Sequence, residues 1–135
     1  MAQPFLHTLV SCVRAPSVAL SGADGQIRPG GVQGVIRHDR RILSELVVDV
    51  DGQEPAPVGH SLVGADEVRF TGLVRQLGDG GADPTVRLER RRRTRPDGMD
   101  ERVELVNNAR SPITATVRVS AAVDLAPMNE VRRGD

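Results

Sequence analysis

Residues 113–123, Ile113-Thr114-Ala115-Thr116-Val117-Arg118-Val119-Ser120-Ala121-Ala122-Val123, carry the pattern that decides the fold class. Ile113, Ala115, Val117, Val119, Ala121 and Val123 share one parity, and Thr114, Thr116, Arg118, Ser120 and Ala122 share the other. Successive strand side chains point to opposite faces, so this segment predicts a strand with one buried and one wet face. Alternation sustained over the whole stretch does not fit a helix, whose apolar positions recur every three to four residues.

Working back from that strand, Thr85–Arg95 and Met99–Asn107 flank Pro96-Asp97-Gly98 and read as a hairpin. Asn107-Asn108 then leads into the alternating strand, which would complete a three-stranded meander. A further hairpin is expected at Asp51-Gly52 after Leu43–Val50, because both turn residues tolerate φ > 0. Pro55 and Pro57 make its return arm an edge or an irregular segment, since proline cannot donate to a ladder. Glu67–Arg75 reads as another strand. Ser21–Gly25, Pro29-Gly30-Gly31 and Gly78–Gly81 add turn signals at short intervals. No helix is expected, nor is any repeat or long linker. The reading is an all-β fold, an antiparallel β-sandwich with meander connections, forming a single domain over residues 1–135.

Composition agrees. Of the 135 residues, 36 are Val, Leu, Ile or Phe, and 19 of these are Val, a β-branched residue suited to a pleated surface. Eighteen basic residues balance eighteen acidic ones, and all the basic ones are arginine. A cationic partner surface for nucleic acid or membrane is therefore not the default. Cys12 is the only cysteine, which rules out an intrachain disulfide and multi-cysteine zinc sites and suits a reducing cytoplasm. No apolar run approaches the ~18 residues of a membrane span. Met1–His7 carries no basic side chain before its short apolar stretch, so a signal peptide is not expected.

The chemistry-bearing candidates are few. Arg90-Arg91-Arg92-Arg93-Thr94-Arg95 would be flagged as a phosphate or nucleic-acid patch. Strand alternation sends Arg90 and Arg92 to one face and Arg91 and Arg93 to the other, and Glu89, Asp97, Asp100, Glu101 and Glu104 stand nearby as partners. Arg90, Arg91, Arg92, Arg93 and Arg95 are thus a candidate basic surface and no more. Base stacking needs aromatic rings, and only Phe5 and Phe70 exist. The absence of Trp and Tyr argues equally against an autonomous sugar-binding module. His7, His38 and His60 lack metal-ligand spacing, no lysine is available for a P-loop, and no Gly-x-Ser-x-Gly elbow occurs. Asp24, Asp39, Asp49, Asp51 and Asp124 provide carboxylates, but no pair stands out as an acid–base dyad. Catalytic residues, a metal and a cofactor are not expected.

Gly34-Val35-Ile36-Arg37-His38-Asp39-Arg40-Arg41-Ile42-Leu43-Ser44 differs from these, because it concentrates charge just before an apolar strand. Asp39, flanked by arginines, is expected to form a bidentate ion pair that braces the turn.

The order of these elements resembles the N-terminal β-sandwich domain of bacterial glycogen-debranching-type proteins, the amylo-α-1,6-glucosidase group. The elements are Asp24-Gly25, Gly34–Ser44, the strand closing at Asp51-Gly52, the arginine-rich strand Leu88–Arg95, its return to Asn107-Asn108, Ile113–Asp124, and Val131-Arg132-Arg133-Gly134. Residues 9–134 carry the resemblance, with Ile36, Ile42 and Leu125 standing where the family often has an aromatic. It implies a non-catalytic accessory domain whose catalytic carboxylates sit on an (α/α)6 barrel beyond Asp135. In that setting Gly34, Arg37, Asp39, Arg40 and Ser44 would be structural or interface residues. The implied partner is the catalytic barrel, in the same or a separate polypeptide, with a homodimer as a further partner and neither nucleic acid nor membrane. The other reading is a free-standing β-sandwich interaction module, whose exposed apolar patch would capture a partner.

Overall fold

The computed structural model describes residues 9–80 and 83–133. Phe5, His7, Gly81 and Gly134, together with the N-terminal leader reading, lie outside the described residues. Among the described residues, ten strands form three antiparallel sheets. The first contains β1 (Val10–Arg14), β2 (Ser17–Ser21), β3 (Gly34–Arg37) and β4 (Arg40–Leu43), in that order. The second contains β6 (Ala56–Gly64), β7 (Glu67–Leu73), β8 (Val86–Arg95) and β9 (Gly98–Asn107), also in chain order. The third pairs β5 (Glu45–Val50) with β10 (Val117–Ala122). β1, β2 and β3 lie against β7, β8 and β9, so the molecule is an all-β sandwich with meander connections inside each four-stranded sheet.

Alternation builds the core. Val10, Cys12 and Ala19 face Val68 and Phe70 across the sandwich, with Val35, Ile27 and Leu46 in the same cluster. A second cluster joins Val48 and Val50 to Val74, Val86 and Leu88, with Val103, Leu105, Ile113 and Ala115 packed on it. β5 supplies Leu46 to the first cluster and Val48 and Val50 to the second, so it ties the halves of the core together.

Three expectations need correction. The alternating strand is not the third arm of a meander on β9: it begins only at Val117, and it pairs with β5. Its apolar parity does face the same side as the buried Val50, Val48 and Leu46. β10 is the outer strand, however, and Val117, Val119 and Val123 remain 39%, 52% and 62% exposed. The Asp51-Gly52 turn forms with φ of 50° and 80°, but its arms pair only through Val50 and Gln53. The chain then leaves to place β6 on the edge beside β7, where register shifts at Pro57/Gly59 and Leu62/Gly64 break the ladder. Finally, Met128–Arg133 form a short helix, α1, where none was expected. It caps the end of β4, with Met128 N donating to Asp39 O at 2.8 Å and Val131 buried.

Candidate functional site

The Gly34–Ser44 segment folds as the β3–β4 hairpin. His38 occupies the turn with φ 57°, and Arg37 pairs with Arg40 across it. Arg37 Nε donates to Pro96 O at 2.9 Å, and Arg40 Nη1 donates to Leu125 O at 2.9 Å. Ser44 is buried, and its amide donates to Ala122 O at 2.8 Å. The Asp39 side chain is exposed and makes no ion pair with the flanking Arg37, Arg40 or Arg41, contrary to the pairing expected there. Its backbone carbonyl, receiving Met128, is what engages the fold.

The bidentate pair belongs to Arg41 and Asp124. Arg41 Nε donates to both Asp124 oxygens at 3.1 and 3.2 Å, and Nη2 donates to Oδ2. Strand alternation explains the difference, because Arg40 points outward and Arg41 inward. Gly34 makes room for it: a Cβ there would lie 2.6 Å from Arg41 Cδ and 2.6 Å from Leu43 O. Lying across this glycine, Arg41 also reaches Gly31 O at 2.7 Å. Its hydrogen bonds hold the Asp124 carboxyl below the usual carboxylate range, with the Ala126 amide adding to the effect.

A second polar constellation lies inside the sandwich. β8 turns Val86 and Leu88 inward and then, on the same parity, Arg90, Arg92 and Thr94. Arg90 and Arg92 are only 3% and 1% exposed, so the candidate basic surface reduces to Arg91, Arg93 and Arg95. Both buried guanidiniums converge on Glu101 across the β8–β9 hairpin. Arg90 Nε donates to Oε2 at 2.8 Å, Arg92 Nε to Oε1 at 2.7 Å, and Arg92 Nη2 to Oε2 at 2.9 Å. Arg92 lies 5.0 Å from the Phe70 ring centroid and donates to Gly25 O at 2.6 Å. Burial is the largest influence on Arg90 and lowers its pKa, with Glu101 opposing that shift. The sequence placed Glu101 among the nearby partners, but nothing in it marked Gln26, whose side chain donates to Val48 O and accepts from Arg90.

A model of the N-terminal domain of (some) glycogen debranching enzymes matches residues 13–135. The chain belongs to this family. No curated protein and no solved structure matches it.

In this debranching-enzyme N-terminal domain, the carboxylates of the two constellations are engaged by arginine. Arg28 binds Asp24 at 3.0 Å and Glu54 at 2.7 Å, and Arg118 binds Asp49 at 3.0 Å. The Arg28 hydrogen bond holds Glu54 below its ordinary range. A general acid for glycoside hydrolysis needs the opposite, a carboxyl kept protonated near neutral pH. Arg28 ties the turn at Asp24 to the loop at Glu54, and Arg118 ties β10 to β5. No cluster of three or more His, Cys, Asp or Glu with metal-binding geometry occurs among the described residues, and His38 and His60 belong to different sheets, on the β3–β4 turn and on β6.

Proposed function

We propose that this domain is a non-catalytic accessory sandwich of a debranching-type glycoside hydrolase, and that it packs on the catalytic barrel through its β5–β10 edge. The observation carrying this reading is the open apolar face of Val117 and Val119 on β10, on the core side of β5, with Val123 and Leu125 exposed just beyond the end of the strand. A strand with one free edge and an uncovered valine row suits burial against a further layer. The buried free thiol of Cys12 accords with a cytoplasmic setting. The test is Val119→Glu in a full-length debranching enzyme carrying this domain. Loss of cooperative unfolding between sandwich and barrel, with glucan hydrolysis weakened, is expected. Unchanged unfolding and hydrolysis would overturn the reading.

The other edge supports a second reading, a free-standing module that pairs with itself or another protein. On β6, Val58, Leu62 and Val63 are exposed. The bulges and Pro57 of that strand blunt it as a pairing template, which favours the β10 edge. A monodisperse monomer by light scattering would remove self-pairing.

A further inference from the structure

Sheet register places three arginines side by side on the outer face of the second sheet. Arg69 of β7 is the Cα partner of Arg91 of β8, and Arg91 is the partner of Arg102 of β9. Ser61 of β6 extends the same row as the partner of Arg69. All four side chains are exposed. Neighbouring strands lie about 4.8 Å apart, so the three arginine Cα atoms span only about 10 Å.

Like charges directly opposite one another destabilise a sheet. The surroundings offset this weakly. Among the described residues, only Arg91 reaches a carboxylate from this row, with Nε 4.0 Å from Glu67. Arg69 and Arg102 form no ion pair with a described residue. The row borders a depression of about 260 Å³ that Ser61, Thr71 and Glu89 also line. Glu89 is already held by Arg87 at 3.2 Å.

The adjoining rows set the size of what can bind. On one side Glu67 and Asp100 flank Arg93, and on the other Glu89 pairs with Glu104. Net positive charge is therefore greatest along this one short line, because Glu67 and Asp100 offset Arg93 on one side and the Glu89–Glu104 row is acidic on the other. A polynucleotide backbone needs basic charge along its length, whereas a single compact oxyanion needs it at one point.

We propose that Arg69, Arg91 and Arg102 form a binding site for one phosphate group, either free phosphate or the monoester of a small molecule. Planar guanidiniums meet phosphate oxygens with paired hydrogen bonds, and the Ser61 and Thr71 hydroxyls supply donors at the rim. The site lies on a different sheet from the β10 edge, so it does not depend on the docking reading.

The test is a titration of the full chain, followed by amide chemical shifts, with inorganic phosphate, glucose 6-phosphate and glucose. Saturable shifts centred on Ser61, Arg69, Arg91 and Arg102 are expected with a phosphate-bearing probe and not with glucose. Tighter binding of the ester assigns the site to an organic phosphate; equal or tighter binding of inorganic phosphate assigns it to the free anion. Arg91→Ala and Arg102→Ala should each weaken binding about tenfold, and Arg95→Ala less than about twofold. The absence of saturable shifts at the row with both phosphate probes, or affinity unchanged by Arg91→Ala and Arg102→Ala, would overturn the proposal.

Discussion

The side chain of Gln26 pairs with the backbone of Val48 as a neighbouring strand would. Gln26 Oε1 accepts from Val48 N at 2.9 Å, and Nε2 donates to Val48 O at 2.8 Å. Along the same edge of β5, Leu46 exchanges hydrogen bonds with Ile27 and Val50 exchanges them with Gln53. One amide side chain thus fills the gap between two backbone bridges. It also explains why the Asp51-Gly52 hairpin stops at Gln53: the next pairing position on β5 is already occupied.

Replacing Gln26 by Leu should therefore cost far more than a surface change. It removes the partner of the Val48 amide and carbonyl and of Arg90 Nη1, which donates to Oε1 at 2.7 Å. A buried polar group left unsatisfied costs about 1–3 kcal/mol, so a loss of roughly 2–4 kcal/mol is expected. Urea unfolding of the purified variant measures it, and a loss below about 1 kcal/mol would show that water replaces the amide without penalty.

Two glycines should behave differently on substitution by alanine. Gly34 has φ 151°, and its added Cβ would meet Leu43 O and Arg41 Cδ at 2.6 Å. Backbone strain and overpacking together predict a loss of about 2 kcal/mol or more. Gly52 has φ 80° but open space around it, so only the conformational penalty of about 1 kcal/mol applies. Thermal melts of both variants check the order, and equal losses would show that both Arg41 and the Leu43 backbone shift to admit the added Cβ.

Local pattern made much of this legible, and its failures have one cause. Parity alone separates Arg90 and Arg92 from Arg91 and Arg93, and Pro55 and Pro57 mark the stretch that becomes β6 as an edge or irregular segment. What no local pattern fixes is which distant strand fills a free edge. The alternation at 113–123 identifies a strand, but only the open side of β5 makes Val117–Ala122 its partner and leaves the valine row half covered. The same blindness misplaces the charge pair. Asp39 is the carboxylate next to Arg40 in sequence, whereas Arg41 is the arginine turned inward, and its partner lies 83 residues away at Asp124.

That pair should govern part of the acid response. The folded-state pKa of Asp124 is depressed, chiefly by the Arg41 hydrogen bonds. Its stabilisation is therefore complete above the unfolded aspartate value of about 3.9 and is lost as pH falls through the lower folded value. Asp124→Asn removes the titrating group. The variant should be less stable than wild type near neutrality, with the difference narrowing as pH drops below about 4. Urea midpoints measured across this range give the answer, and a constant difference would mean that Asp124 contributes without changing its protonation.

The interior arginines give the sharpest contrast. Glu101 receives hydrogen bonds from Arg90 and Arg92, while Glu104, further along the same strand, is exposed. Glu101→Ala leaves two buried guanidiniums facing each other without a carboxylate, and breaking such a buried set costs about 3–5 kcal/mol. Glu104→Ala should change stability by less than about 0.5 kcal/mol. The triple variant Arg90→Leu, Arg92→Met, Glu101→Leu should recover most of what Glu101→Ala loses, because removing all the charges together leaves none uncompensated. Denaturant unfolding of the three proteins tests this directly. If the triple variant stays as unstable as Glu101→Ala, the arginines matter through their neutral contacts, the Gly25 carbonyl and the Phe70 ring, and not through their charge.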